Sequence, residues 1–223
     1  MFKSLRSCAL LGLVGLLALG SFSNAYTQVE YTQISRLPAL KEPLDEKTKK
    51  LLDATRQKGG QIINLHLTYA HAPHIGLANL SMAYALRFES KSPRMLRELA
   101  IIRTAQNLEA QYELNQHHSL GLACGLTQAQ IDAMPTWHEH LGLFDAREQS
   151  LLAYADAVVM HHGEVDDATY AEFAKHFDAQ EIVELTMAIS AYSSTAFFTK
   201  ALRTQIEPDG RQAAKGTCLV RVT

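Results

Sequence analysis

Residues 93–125 read PRMLRELAIIRTAQNLEAQYELNQHHSLGLACG. Their apolar positions recur at three and four residue steps, which predicts two helices at about 93–108 and 111–123, broken around Asn107 to Ala110. Ser92-Pro93 supplies an N-cap and a proline at the first helical position, and Gly125 is placed to stop the second helix. On the first helix Glu98 falls on the side of Met95, Ile101, Ile102 and Ala105, so a carboxylate projects into an apolar face. That placement is costly unless something pairs it. On the second helix Glu113 and His117 lie four residues apart, on one face. An antiparallel hairpin brings Glu98 toward that pair, giving two carboxyl groups and an imidazole against apolar walls, a setting suited to proton transfer. Spacing also allows an exposed Glu113–His117 pair, with Glu98 bound to Arg97, Arg103 or a lysine of a partner helix; it does not choose between them.

Outward from this hairpin the pattern stays helical. Leu51, Leu52 and Ala54 among Lys47, Lys49, Lys50, Arg56 and Lys58 form an amphipathic run from Asp45 that Gly59-Gly60 ends. A second run covers Ile62 to Tyr69, and Pro73 restarts the chain for a third, with Leu77, Leu80, Ala83, Tyr84 and Leu86 in helical register. Thr127 with Gln130, Asp145 with Glu148, and Asp178 with Glu181 have capping-box spacing. They open helices expected at about 127–134, 145–161 and 179–204, with another at 166–177. No segment alternates as a strand does, so the expected fold is all-α.

The chain has 223 residues, 47% of them hydrophobic and 20% charged, enough for one domain with a proper core. A formal net charge of −2 supplies no basic field, and nucleic acid is not an expected partner. Residues 1–25 have the layout of a secretory signal peptide: Lys3 and Arg6, an apolar run from Ala9 to Gly20, then Ser23-Asn24-Ala25. The run is short of the ~20 apolar residues a membrane span needs. The expectation is a periplasmic or secreted product with no stable membrane anchor after cleavage. Losing Lys3 and Arg6 moves the formal net charge from −2 to −4. Residues 26–44 read as an extended arm over the body or a neighbouring subunit, 45–207 as the domain, and 208–223 as a frayed tail in which Cys218-Leu219-Val220 is apolar enough to dock.

Cys124 and Cys218 remain after cleavage; an oxidising compartment permits one bridge between them, and the alternative is a buried Cys124 with Cys218 on a loose tail. His117-His118, His138 with His140, and His161-His162 raise the question of a metal. Adjacent helical residues point about 100° apart, so neither doublet chelates well, and no metal is expected. Tyr69, His71, Tyr84 and Tyr112 are candidates for a pocket lining, against a plain core role.

The segments Arg97-Glu98-Leu99-Ala100-Ile101-Ile102-Arg103, Tyr112-Glu113-Leu114-Asn115-Gln116-His117 and Ala123-Cys124-Gly125-Leu126-Thr127 together resemble the carboxymuconolactone decarboxylase family, which includes the AhpD-like alkylhydroperoxidases. Looser similarity runs through Asp145 to Ala201. The resemblance implies an AhpD-like helical bundle that assembles as trimers or hexamers, a pocket near subunit contacts, a small-molecule substrate and no cofactor. In the decarboxylase branch it places Glu98, Glu113 and His117 at the site that handles a lactone carboxylate. In the AhpD branch a Cys-x-x-Cys pair lies between the matching Glu and His; here those positions hold Ala110 and Glu113, which removes that thiol chemistry. Cys124 lies two turns beyond His117, roughly 10.5 Å along a helix, too far for direct proton exchange.

The expected function is a cofactor-free acid–base enzyme of lyase, isomerase or hydrolase type on a small oxygenated or lactone-like substrate. Glu98 and His117 would transfer protons, and Glu113 would orient or charge the imidazole. The alternatives are an AhpD-like peroxidase using Cys124 and a non-enzymatic helical binding protein.

Overall fold

Thr127, Asp145 and Asp178 each accept a hydrogen bond from the backbone N–H three residues on, while Gln130, Glu148 and Glu181 reach back to the cap residue's own N–H. These reciprocal caps satisfy amides that the first turn leaves without partners, and they fix where three helices start. The computed structural model describes residues 34–57, 60–210, 212–213 and 218; the signal-like segment and residues 26–33 of the expected arm lie outside them. Its α-helices are α1 (Glu46–Gln57), α2 (Asn64–Tyr69), α3 (Pro73–Phe88), α4 (Arg94–Asn107), α5 (Gln111–Ala123), α6 (Gln128–Ala133), α7 (Ala146–Met160), α8 (Asp167–Ala174) and α9 (Ala179–Leu202). Two 3₁₀ turns, Met134–Glu139 and Leu141–Leu143, join α6 to α7. No strand occurs among the described residues, and the fold is all-α.

α4 is the central helix, packed on α5, α7 and α9. Its residues Leu96 to Ile102 are all buried. Leu99 and Ile102 join Leu151, Leu152, Phe173 and Leu185 in the main core. Each such side chain contributes roughly 1.5–3 kcal/mol through burial. Polar groups on α4 are paired where Arg103 binds Asp156, which also accepts from Asn107 and from the Trp137 indole at 3.0 Å, whereas the buried Thr104 hydroxyl has no hydrogen-bond partner among the described residues. A second, smaller cluster sits where α1, α2 and α3 pack together, with Leu51, Tyr69 and Ala70 buried and Phe198 of α9 stacked on Tyr69 at 4.4 Å. There Gly76 permits close approach: a Cβ at this position would lie 2.7 Å from Leu51 Cδ2 and 3.0 Å from Tyr69 Cβ.

Gly125 ends α5 as expected. Its φ of +111° suits glycine, and the N–H groups of Gly125 and Leu126 bond back to the carbonyls of Leu122 and Gly121. The start of α4 differs from expectation. Pro93 occupies the cap position with no side-chain cap, and the helix begins at Arg94. Ser92 is claimed elsewhere: its N–H donates to Glu184 Oε2 at 2.7 Å, and its hydroxyl and carbonyl accept from Arg97. α8 and α9 also end earlier than their periodicity implies, at Ala174 and Leu202.

Both ends of the described chain are held to the body. Arg36 N–H donates to the Leu202 carbonyl at 2.7 Å, and Gln205 N–H to that of Ile34 at 3.0 Å, so the arm's described part lies along the end of α9 in its own chain. The tail expected to fray is docked where it is described. Gln61 N–H donates to the Ala213 carbonyl, Gln212 Nε2 to the Asn115 carbonyl, and Ala213 N–H to Gln116 Oε1. Cys218 closes the arrangement by pairing with Cys124 across 94 residues of sequence, with the Cα atoms 4.9 Å apart. Of the two alternatives open for these cysteines, the bridge is the one the structure contains.

Candidate active site

The α4–α5 hairpin turns at Leu108 to Ala110, with Glu109 in the left-handed region at φ 50°. Glu98 lies eleven residues before Glu109 and His117 eight after it, and the antiparallel helices bring the two side chains together. His117 Nδ1 sits 2.8 Å from Glu98 Oε2, and Arg94, one turn before Glu98, closes on its other oxygen. Arg94 is the counter-ion, in place of Arg97 or Arg103. Burial alone would raise the Glu98 pKa. His117, by charge and by hydrogen bond, together with Arg94 and Arg87, outweighs that and holds the carboxyl below its usual range. An ionised Glu98 only accepts, so His117 donates to it from Nδ1–H, and Nε2 faces the second carboxyl group.

That second group is Glu113. Its Oε2 lies 3.9 Å from His117 Nε2, and its Oε1 has no hydrogen-bond partner among the described residues. Glu113 is only 2% exposed. Burial, helped by the charge of Glu207 and opposed by His117 and Arg87, pushes its pKa up to about 7. One imidazole thus lies between a carboxylate held ionised and a carboxyl poised to gain or lose a proton near neutrality. This division of roles by environment is what acid–base sites require.

The pair opens on a cavity of about 70 Å³ at the seam between the α1–α3 cluster and helices α5 and α9. That is space for about five water-sized groups. Its walls are mainly apolar, with Leu51, Ile63, Leu80 and Leu86 among them. Tyr192 of α9 meets the His117 ring edge-on at 4.7 Å and hydrogen-bonds Arg87. Arg87 itself is half-buried; burial opposes its charge, and Tyr192, Glu98 and Glu113 more than compensate. Glu207 braces the wall: it accepts from the Asn64 N–H and the Tyr112 hydroxyl, each at 2.7 Å, and from Gln116 Nε2 at 2.9 Å.

The three residues singled out by spacing, Glu98, Glu113 and His117, are therefore buried together. Of the four aromatic candidates Tyr69 and Tyr112 line the cavity, whereas His71 is exposed and Tyr84 packs at a tilt against Phe88. Sequence reading missed His66, Arg87 and Tyr192. The available signals were a lone ionisable residue inside the apolar run 62–69 and an arginine closing the apolar repeat of α3. The histidine doublets do not converge: His118 meets Gln128 and His138 stacks on Trp137. Among the described residues no group of three or more His, Cys, Asp and Glu side chains is arranged to hold a metal ion. Cys124 lies at the C-terminal end of α5 and is bonded to Cys218, so neither presents a free thiol.

Residues 73–157, from α3 into α7, match the carboxymuconolactone decarboxylase family. The protein YnjA of Escherichia coli strain K12 is 37% identical over 70 residues, which are 31% of this chain and 38% of YnjA. The aligned part thus spans about two fifths of that relative's length. A peroxidase-related protein from Ralstonia eutropha JMP134 with an alkylhydroperoxidase AhpD core superposes with a TM-score of 0.66 at 18% identity, over 79% of this chain and 94% of that one. The debrominase Bmp8 superposes with a TM-score of 0.65 at 16% identity, over 80% and 94% of the two chains. At such identities the structural matches establish the fold. The carboxymuconolactone decarboxylase signature thus covers residues 73–157, on a fold like that of the AhpD-core protein.

Proposed function

We propose that this protein is a cofactor-free acid–base enzyme, of lyase, isomerase or hydrolase type, that acts on a small oxygenated or lactone-like substrate. The family supports an enzyme-like function in general terms. The observation that carries the specific reading is the buried Glu98–His117–Glu113 array, whose outer carboxyl has an unpartnered oxygen and lines the cavity. Glu98 fixes the imidazole tautomer, and His117 and Glu113 exchange protons with the substrate. General acid–base groups of this kind contribute about 10²–10⁴-fold in rate.

The test is a screen of lactones and small keto acids with wild type, His117→Ala and Cys124→Ser, each checked by thermal melt. The expected result is turnover that falls at least 100-fold in a folded His117→Ala and persists in Cys124→Ser. Undiminished turnover in His117→Ala refutes the assignment. Hydroperoxide consumption with a dithiol reductant that disappears in Cys124→Ser replaces it with thiol peroxidase chemistry.

The reading includes export and self-association. The signal-like residues 1–25 support cleavage after Ala25, which N-terminal sequencing of the protein recovered from its host tests. Val183, Met187 and Phe197 of α9, which are 66%, 44% and 59% exposed, support assembly as a trimer or hexamer, which light scattering tests.

A further inference from the structure

The described part of the C-terminal tail closes one side of the cavity, where Ala213 joins Gln116 and His117 in the lining. It is held there from two directions. On the α5 side, Ala213 N–H donates to Gln116 Oε1 at 2.9 Å, Gln212 Nε2 donates to the Asn115 carbonyl at 2.8 Å, and the Ser119 hydroxyl donates to Gln212 Oε1. On the side of the α1–α2 connection, Gln61 N–H donates to the Ala213 carbonyl at 3.1 Å and Gln61 Nε2 to that of Gln212 at 3.0 Å. Both cavity imidazoles adjoin these contacts: Gln116 precedes His117 on α5, and the Gln61 carbonyl accepts from the His66 ring. His117 is only 3% exposed and Glu113 only 2%, so entry to either depends on what can move.

These hydrogen bonds sit on two residues, and each contributes little in net terms because water competes for the same groups. The segment stays docked because it is tied on both sides. Glu207, buried and accepting from Asn64, Tyr112 and Gln116, precedes it, and Cys218, bridged to Cys124 at the end of α5, follows it. Tying the second end of so short a segment raises its docked fraction on the order of tenfold. Both cysteines are only partly buried, which leaves the bridge within reach of a thiol in solution. We propose that the Cys124–Cys218 bridge is a redox latch: formed, it holds residues 212 and 213 across the cavity, and reduced by a dithiol, it releases them and opens a way to His117 and Glu113. In the step, a thiolate of the dithiol attacks one sulfur of the bridge, the S–S bond breaks, and the other sulfur leaves as a thiolate that takes up a proton. The second thiol of the dithiol then displaces the cysteine still bound to the first, so the dithiol ends as a disulfide and Cys124 and Cys218 as thiols. Two electrons and two protons pass from the dithiol to the protein. This inference concerns access to the cavity, stands apart from the acid–base reading, and is tested without turnover.

The experiment uses the full chain in three forms: oxidised, reduced with dithiothreitol, and as the Cys124→Ser/Cys218→Ser double variant. In the first arm, hydrogen–deuterium exchange read by mass spectrometry follows the Gln61 and Ala213 amides, which the docked tail protects, against the Leu99 amide in the core of α4. Exchange at Gln61 and Ala213 is expected to rise about tenfold or more on reduction and in the double variant, with Leu99 unchanged. Unchanged exchange at Gln61 and Ala213 overturns the latch, and so does a rise shared by Leu99, which is a loosening of the whole fold. In the second arm, diethyl pyrocarbonate, which acylates a neutral imidazole nitrogen, is applied to the oxidised protein and to the double variant, and the modified sites are located by peptide mass spectrometry. Modification of His117 should quicken about tenfold or more in the double variant, while that of the exposed His140 stays the same. Faster amide exchange with no change at His117 reduces the tail to a brace and overturns its role as a gate. Gln212→Ala, which keeps the bridge and removes the two side-chain hydrogen bonds to α5, carries the test if the double variant does not fold. Modification of His117 about threefold faster in that variant supports the latch, and an unchanged rate overturns it.

Discussion

Glu113→Gln is predicted to stabilise the fold at high pH and to lose that advantage in acid. The Glu113 carboxyl titrates at 4.5 in an unfolded chain and at about 7 in the folded one, because burial without a hydrogen-bonded partner disfavours its charge. Between these values the native state binds the extra proton, so stability falls as pH rises from about 4.5 through about 7. At 1.36 kcal/mol per pH unit the full effect is roughly 3 kcal/mol, or roughly 6–12 °C in melting temperature for a chain of this size. A glutamine carries its own fixed cost in the cavity, so the signature is the slope of the difference with pH, whatever its offset. The assay is urea or thermal unfolding of wild type and variant from pH 4.5 to 8.5. The difference should move in favour of the variant by roughly 3 kcal/mol across that range and level off above the folded pKa. A difference independent of pH would refute the account of Glu113.

Glu98 should behave with the opposite sign. Its folded pKa lies below its unfolded one, so it contributes stability that is present above the unfolded value and lost as pH falls through the folded value. Glu98→Ala leaves Arg94 buried without its counter-ion and should cost about 3–5 kcal/mol at pH 7, read by denaturant unfolding; a cost below about 1 kcal/mol would contradict the buried ion pair. Gly125→Ala forces a Cβ into φ +111° and should cost about 1–2 kcal/mol without touching the cavity, so melting shifts while the pH midpoint of Glu113 holds. Cys218→Ser opens a bridge across 94 residues and should cost about 2–5 kcal/mol, with wild type in reductant matching the variant. A variant as stable as the oxidised wild type would show that the bridge does not form.

What was legible in the sequence was local. Thr127, Asp145 and Asp178 announced their helices because each cap and its partner lie three residues apart, and Glu113 with His117 showed one shared face for the same reason. Glu98 was readable as a carboxylate on an apolar face, and the hairpin geometry did the rest. The misreadings came from long-range partners. Ser92 is the right residue for a cap, but Arg97 occupies its oxygens and Glu184, 92 residues later, takes its N–H. The tail looked loose because its partners, Gln116 and Cys124, lie 97 and 94 residues away. His66, Arg87 and Tyr192 meet only when α2, α3 and α9 close around the cavity, and no periodicity within one helix records that meeting.

The central claim is that a carboxyl group beside His117 exchanges its proton near neutral pH while Glu98 stays ionised. Carbon-13 NMR of protein labelled at the glutamate side-chain carboxyl carbons, with Glu113→Gln and Glu98→Gln used to assign the two signals, measures this directly. The account predicts a Glu113 midpoint at about 7 and a Glu98 signal that remains that of a carboxylate down to below pH 4.5. A Glu113 midpoint near 4.5, or a Glu98 that protonates above it, would contradict the account.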